Sequence, residues 1–463
     1  MNEFDIGSNQ NSLFVFRRDL RLEDNSGLIK ALNSSKNVMP IFILDQYLIG
    51  NKNLSFNAKQ FLKESLIDLI HKFTLKKAQL FIHYGKPPEI ISNLLKRREL
   101  NIDKLIMNRD YTPYSQIRDS KIDRICKENR IKLVLTADLL LNEPEVVIKS
   151  DGTPYTIFTP FFKKSQQYSI NKPEKISKDT NYYSDDLSDV ISAEKLKNIL
   201  NYHNSNIYMV GGRSHGIKIL NQIHEMKDYG VKRDFPALKG TTNLSAHLKF
   251  GTVSIREVYH AINQTKNFTL LRQLYWRDFY VYIGYHFPHV FKGCFRPKYN
   301  KLDWNYNKIL FQAWCEGKTG FPIVDAGMRQ LNSTGWMHNR VRMIVASFLT
   351  KDLLINWQWG ERYFAEKLVD YDISVNNGNW QWAASTGCDP VPYFRIFNPW
   401  LQQKKFDPQS EYIKRFIPEL RDYNPKLIHN LFKTRPRDLT DYPKPIVDHS
   451  IMREKAKIMF KTI

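Results

Sequence analysis

No run of about 18 apolar residues occurs in this 463-residue chain, which excludes a membrane-spanning helix. Cysteine is scarce, and Cys126, Cys294, Cys315 and Cys388 lie far apart with no CxxC pair among them. That spacing supports neither a disulfide framework nor a zinc knuckle and fits a reduced, intracellular setting. The opening residues MNEFDIGSNQNS have neither a basic start nor an apolar core, so no secretory signal is expected. Acidic residues are outnumbered: Lys+Arg total 69 against 47 for Asp+Glu, a formal charge of +22. Such an excess favours an anionic partner, nucleic acid ahead of a membrane surface.

What is present is an ordinary globular composition, 42% hydrophobic and 25% charged, at a length that suits two or three domains. Across residues 1–140 short apolar runs at 12–16, 38–44, 79–83, 104–107 and 132–135 alternate with helix-like stretches at 26–33, 56–72, 88–98 and 115–129. Strands alternating with helices predict an α/β domain built on a five-stranded, parallel, doubly wound sheet. The turn after the first strand, FRRDLRLEDNSG, lacks GxGxxG, so an ordinary dinucleotide site is not expected there. Asp24 or Asn25 is placed to cap the following helix. Residues 141–206 are rich in turn dipeptides and polar residues, and they read as an interdomain linker wrapping the surface. From 207 to 463 the periodicity is helical. This part holds all nine tryptophans, and it is predicted to be an all-α domain with its own core.

Four segments of the helical half carry chemistry. In LLRQLYWRDFY, helical spacing puts Gln273, Trp276 and Arg277 on one face: an amide, a flat ring and a guanidinium, a set suited to a nucleobase and its phosphate. In GWMHNRVRM, Asn339, Arg342 and Met343 share a second such face, while Arg340 points elsewhere toward a prospective phosphate. In LVDYDISVNNGNWQW, Asp370 and Asp372 flank Tyr371 with no histidine or metal-ligand partner nearby. That pattern argues against hydrolysis and for carboxylates that hold a polar cofactor beside Arg342. Asn376 and Trp380 follow one helical turn apart, with Trp382 on another face. In KRDFPALKGTTNLSAHLKFG, Thr241, Thr242, Asn243 and Ser245 precede a helical stretch as an anion site for a pyrophosphate, with Arg233 just upstream. Each segment also has a plainer reading: a core tryptophan with a polar rim, a solvated acidic loop, a simple N-cap.

Taken together these segments resemble the DNA photolyase/cryptochrome family over nearly the whole chain. The likeness is strongest from GKTGFPIVDAGMRQLNSTGWMHNRVRM through VNNGNWQWAASTGCDPVPYFRIFNP, and it takes in FRRDLRLEDN, GTPYTIFTPFFK and RDFPALKGTTNLS. The chain looks most like the class I members that repair cyclobutane pyrimidine dimers. The resemblance implies an N-terminal α/β antenna-type domain and a C-terminal helical domain holding a U-shaped FAD. By resemblance, Tyr229, Thr241, Thr242, Asn243, Leu244 and Ser245 hold the phosphate portion of the cofactor, with Leu270 and Tyr371 completing its pocket. Arg342, Asp370 and Asp372 contact the flavin, and Asn376 lies near its reactive nitrogen. Trp380, Trp357 and Trp304 match an electron relay that runs from the surface inward. Trp276 and Trp382 match the walls around a flipped-out lesion and Asn339 and Met343 its floor, while Arg233, Arg277 and Arg340 match contacts to the DNA backbone. Gln273 stands where cyclobutane-repairing members usually carry Glu.

The implied activity is light-driven lyase chemistry: excited, reduced flavin gives an electron to a dimer extruded from UV-damaged DNA, the ring splits and the electron returns. A monomer working in the cytoplasm (in the nucleus if the source is eukaryotic), without metal or membrane, is expected. Three alternatives stay open. A blue-light receptor shares the flavin pocket, although such receptors often carry a long C-terminal extension. Repair of the (6-4) photoproduct needs histidines where this chain has Asn339 and Met343. A nucleic-acid-binding module would use its tryptophans only to stack bases. For a second, antenna chromophore, Thr112 follows Tyr111 where folate-binding members place an acidic residue. That speaks against folate and leaves a deazaflavin, another flavin or an empty site.

Overall fold

The computed structural model describes residues 10–50, 54–176 and 181–463. The leading residues 1–9, on which the expectation of no secretory signal rests, and residues 177–180 of the expected linker lie outside the described residues.

Strands that are apolar without polar alternation need cover on both faces, as in a parallel sheet flanked by helices. β2 (Val38–Asp45, VMPIFILD) is buried at every position, and β1 (Asn11–Phe16) at all but its first. With β3 (Phe81–Gly85), β4 (Ile102–Asn108) and β5 (Lys132–Thr136) they form one parallel sheet in the order β3-β2-β1-β4-β5. The helices Ser26–Ser34, Phe56–Leu75, Pro87–Leu95 and Pro113–Glu128 fall where the sequence predicts them. Asn25 is the cap of the first, accepting from the Leu28 amide. Asp24, the other candidate, has φ 48° and does a different job: it accepts from the Ser254 hydroxyl and pairs with Arg256 at 3.0 Å, tying the sheet domain to the helical one.

Residues 141–206 do more than run over the surface. The helix Phe158–Ser165 packs Phe158 and Phe161 into the helical core. Tyr182 bridges to Val38 at the start of β2, the Ile191 amide donates to the Ile82 carbonyl, and Leu196 and Leu200 are fully buried in the sheet domain's core. The turn-rich composition that marks a loop does not reveal these isolated apolar anchors.

The helical half is organised around Phe268–His286, Pro322–Thr334, Asn339–Ser347, Trp357–Lys367 and Ile373–Ala384. A single turn of π-helix, Phe348–Asp352, follows Asn339–Ser347, a feature often found beside functional sites. No helix among the described residues is long and apolar enough to cross a membrane.

The strand order reverses between β1 and β4, which opens a crevice at the strands' C-terminal ends. The loop after β1 leaves this crevice and meets the helical domain. Arg21 pairs with Asp138 at 2.7 Å and donates to the Gly251 carbonyl at 3.1 Å, and the Leu20 amide donates to the Phe250 carbonyl. Gly251 ends the short helix Ser245–Phe250 with φ 65°, and a side chain there would overlap the Arg18 carbonyl. Its missing Cβ lets the β1 loop come close enough to send Arg18 into the helical domain.

Candidate functional site

The helices Phe268–His286, Asn339–Ser347, Trp357–Lys367 and Ile373–Ala384, together with Ile255–Gln264 and the Ser245–Phe250 turn, enclose a cavity of about 320 Å³, within the range typical of small-molecule sites. Its walls are apolar on the helix faces, from Leu248, Val258 and Ile262 to Ala346, Phe364 and Trp380. Polar groups gather at two places. Thr241, Thr242, Asn243 and Ser245 form one cluster, where Asn243 adopts φ 57° and Thr241 donates to its side chain at 3.0 Å. Arg342, Asp370, Asp372 and Asn376 form the other. Most of the sequence-predicted residues line this one space, including Tyr229, Leu244, Leu270, Gln273, Asn339, Met343, Tyr371 and Trp382.

Asp370 is held from both clusters. Arg342 reaches it at 2.9 Å, with its Nε fixed on the Met337 carbonyl at 2.7 Å, and the Ser245 hydroxyl donates to it at 2.6 Å. Asp372 is oriented differently. It caps its own helix by accepting from the Ser374 and Val375 amides, and its other oxygen pairs with Arg18 from the sheet domain. Arg18 also contacts Asp110 at 3.3 Å and donates to the Lys249 carbonyl at 3.2 Å. Burial raises the Asp372 carboxyl, but Arg18, followed by Lys249 and Arg277, outweighs it and holds the group at about 2. Burial and then repulsion from Arg18 push the Lys249 ammonium down to about 8. Arg18 and Lys249 are functional-site residues that the sequence does not single out. Arg18 sits within FRRDLRLEDN, but its partner is 354 positions away.

Asn376 lines the cavity while its amide donates to the Glu361 carbonyl at 3.1 Å; next to it, Asn377 donates to the Glu361 carboxylate at 2.9 Å. Burial pushes that carboxyl up to about 7. Trp380, one turn on, presses edge-on against Phe364 at 5.0 Å, and Gly360 leaves room for its ring, since a Cβ there would overlap it.

Several expected residues sit differently. Trp304 was expected at the outer end of a relay, yet it is only 5% exposed, because Phe460 of the helix His449–Lys461 closes over it with ring centroids 6.3 Å apart. Trp357 is buried in the same core. Trp276 lies outside the main cavity, in a shallow groove with Arg233, Arg272 and Phe162, and one face of its ring is stacked on Phe158 at 3.6 Å and 7°. Gln273 lines both spaces; its amide donates to the Thr269 carbonyl at 2.9 Å and accepts from Arg233 at 3.4 Å. Arg277 does not face outward. The buried Asp278 demands a counter-charge, and Arg277 supplies it at 2.9 Å while also donating to the Leu139 carbonyl. Arg340 pairs with Asp234 at 2.8 Å over the Phe406 ring.

A second cavity, of about 450 Å³, opens at the C-terminal ends of β1, β2 and β4. It is mainly apolar, with Ile49, Leu54 and Leu62 on one side and a stacked Tyr47–Tyr114 pair (5.1 Å, 15°) near its rim. Arg18, Lys249 and Asp110 separate it from the first cavity, since Lys249 lines both.

The family profile described as the FAD binding domain of DNA photolyase matches residues 270–462, and that of DNA photolyase matches residues 12–177. A deoxyribodipyrimidine photo-lyase of Synechococcus is 36% identical, with 97% of this chain and 96% of the relative covered. Another of the same name, from Alkalihalophilus pseudofirmus, is 37% identical over 96% of this chain and 97% of its own. Among solved structures, an archaeal photolyase from Sulfolobus tokodaii with two FAD molecules is 40% identical with a TM-score of 0.88, covering 98% of this chain and 100% of that one.

Proposed function

Since the chain belongs to the DNA photolyase family, we propose that it repairs UV-damaged DNA by splitting cyclobutane pyrimidine dimers in light, with FAD in the helical cavity. The observation that carries this reading is a single concave space with an apolar slot for a flat ring, a hydroxyl-rich end for phosphates and an opening at Gln273, Asn339, Met343 and Trp382. When bound, reduced FAD supplies the photoexcited electron.

The donor set fits the cofactor. The Thr241–Ser245 segment offers hydroxyls and amides to a pyrophosphate. Leu270, Phe364 and Trp380 provide the apolar slot that orients an aromatic ring system, and Asn376 presents an amide to its edge. Asp372 stays ionised beside Arg18 and accepts hydrogen bonds, while Asp370 is kept in place by Arg342 and Ser245.

At the opening, Trp382 and the unstacked face of Trp276 are the flat surfaces for an extruded pyrimidine dimer, with Asn339 and Met343 below. A mispaired, poorly stacked dimer costs less to extrude than intact bases. Arg233 and Arg340 stand either side of Asp234, at the rim where phosphates pass, so DNA binding will weaken as salt rises. Gln273 keeps a donor and an acceptor but no charge, which lowers lesion affinity without removing it.

The second cavity is proposed to hold a light-harvesting chromophore. Its apolar walls and tyrosine pair suit a flat tricyclic ring, and the Sulfolobus relative holds two FAD molecules. A second flavin or a deazaflavin fits that character better than folate does.

Trp276→Ala tests the lesion site. Base stacking on an aromatic side chain contributes about 1–3 kcal/mol, so binding to dimer-containing oligonucleotide is expected to weaken by roughly tenfold or more. Flavin content should be unchanged. Titration with fluorescent damaged DNA measures the first and the visible spectrum the second; unchanged affinity would remove Trp276 from the lesion site.

A further inference from the structure

We propose that the groove beside the cavity opening is a second nucleotide site, which takes the base next to the lesion in the damaged strand on Phe268 and the adjoining phosphate on Arg272. The inference rests on the reading of the opening as the lesion site. The groove has a volume of about 500 Å³, in the range of sites that hold small molecules. It adjoins the opening, since Gln273 lines both spaces. No acidic residue lines it.

Phe268 is the first residue of the helix Phe268–His286 and is 69% exposed. Its backbone is nonetheless fixed. The Asn267 side chain caps the helix by accepting from the Leu270 amide at 3.0 Å, and it donates to the Met226 carbonyl at 2.8 Å. An apolar ring is therefore held in water on a firm support. Arg272 follows four residues on, so the two share one face of the helix. Its guanidinium lies over the rings of Phe158 and Phe162, at 5.1 and 5.5 Å, and those rings stack on one another at 5.6 Å and 14°. Among the described residues no carboxylate pairs with Arg272. A guanidinium held face-on by aromatic rings keeps its N–H edges free, and those edges are what a phosphate takes. Arg233 also lines the groove and is loosely tethered, donating to Gln273 at 3.4 Å and standing 3.9 Å from Asp234.

Flat apolar rings interleaved with unpaired arginines suit single-stranded nucleic acid: any base can stack, and the cations neutralise its phosphates. Extruding a dimer leaves the neighbouring base without a stacking partner on one side. Phe268 replaces that partner, which lowers the cost of extrusion. Every base has a face to stack, so the gain does not depend on the sequence around the lesion.

The test uses full-length, flavin-loaded protein titrated in the dark with fluorescent oligothymidylate carrying one cyclobutane dimer. In two further oligonucleotides an abasic residue replaces the nucleotide on one side of the dimer or on the other, which removes a base and keeps its phosphate. One of the two is expected to bind the parent about tenfold more weakly than the intact strand. Phe268→Ala should bind the intact strand about tenfold more weakly and show no further loss with that abasic strand. Arg272→Ala should reduce the slope of log affinity against log salt by about 0.7, the share of one phosphate of a single strand. The proposal is overturned if neither abasic strand binds more weakly, or if Phe268→Ala keeps the parent's sensitivity to it. Equal binding of dimer-containing and undamaged strands by the parent would instead overturn the reading of the opening, and the second site with it.

Discussion

Replacing Trp380 by phenylalanine is expected to abolish photoreduction of the bound, oxidised flavin while leaving repair by chemically reduced protein intact. Trp380 lines the cavity one helical turn from Asn376, and the expected relay begins at its ring. Phenylalanine keeps an aromatic surface against Phe364 but cannot supply an electron at the potential an indole can. Gly360 packs directly against the outer edge of the indole, and the smaller phenyl ring withdraws from that contact, so it is accommodated without a clash. Bleaching of the oxidised flavin spectrum under blue light, with a thiol present, measures the first effect. Repair by dithionite-reduced protein measures the second. Photoreduction at the parent rate would remove Trp380 from the electron path.

The second large effect is expected from Arg18→Ala. Arg18 is the shared partner of two buried carboxylates, Asp372 and Asp110, drawn from different domains. Removing one member of a buried ion pair leaves an uncompensated charge and costs about 3–5 kcal/mol. The loss falls on the wall between the two cavities, so flavin should wash out on gel filtration and the melting temperature should drop. Arg18→Lys keeps a charge but not the guanidinium fork that spans both carboxylates, and should lie between the two.

Acid dependence gives this pair a signature of its own. The folded Asp372 carboxyl sits at about 2, below its ordinary value of 3.8, so the stability it contributes is complete above the ordinary value and is lost as pH falls through about 2. Asp110 is depressed in the same direction, where burial raises it but Arg18, Arg17 and Arg118 prevail. The parent should therefore lose stability steeply over that acid window, and Arg18→Ala should show a shallower slope there. Parallel slopes would detach Arg18 from the two carboxylates.

The sheet was legible because its strands are unbroken apolar runs at even spacing, and such runs in a βαβ rhythm leave few arrangements. The cavity was legible from short-range spacing: Asn376 and Trp380 share a turn, and Arg342 does meet Asp370. Three features were not. The Arg18–Asp372 pair joins residues whose separation no helical or strand period encodes. Trp304 appears solvent-facing in a polar stretch, KLDWNYN, until the terminal helix brings Phe460 over it. Trp276 shows an aromatic face on its own helix, but the Phe158 that covers it comes from the segment read as a linker. Each depends on chain segments that meet only in the folded molecule.

The most direct measurement illuminates reduced, purified protein with oligothymidylate carrying cyclobutane dimers and follows thymine absorbance. Light-dependent recovery of that absorbance, absent in the dark and slowed by Trp276→Ala, is the predicted result. No recovery from protein shown to hold reduced flavin and to bind the oligonucleotide would contradict the assignment.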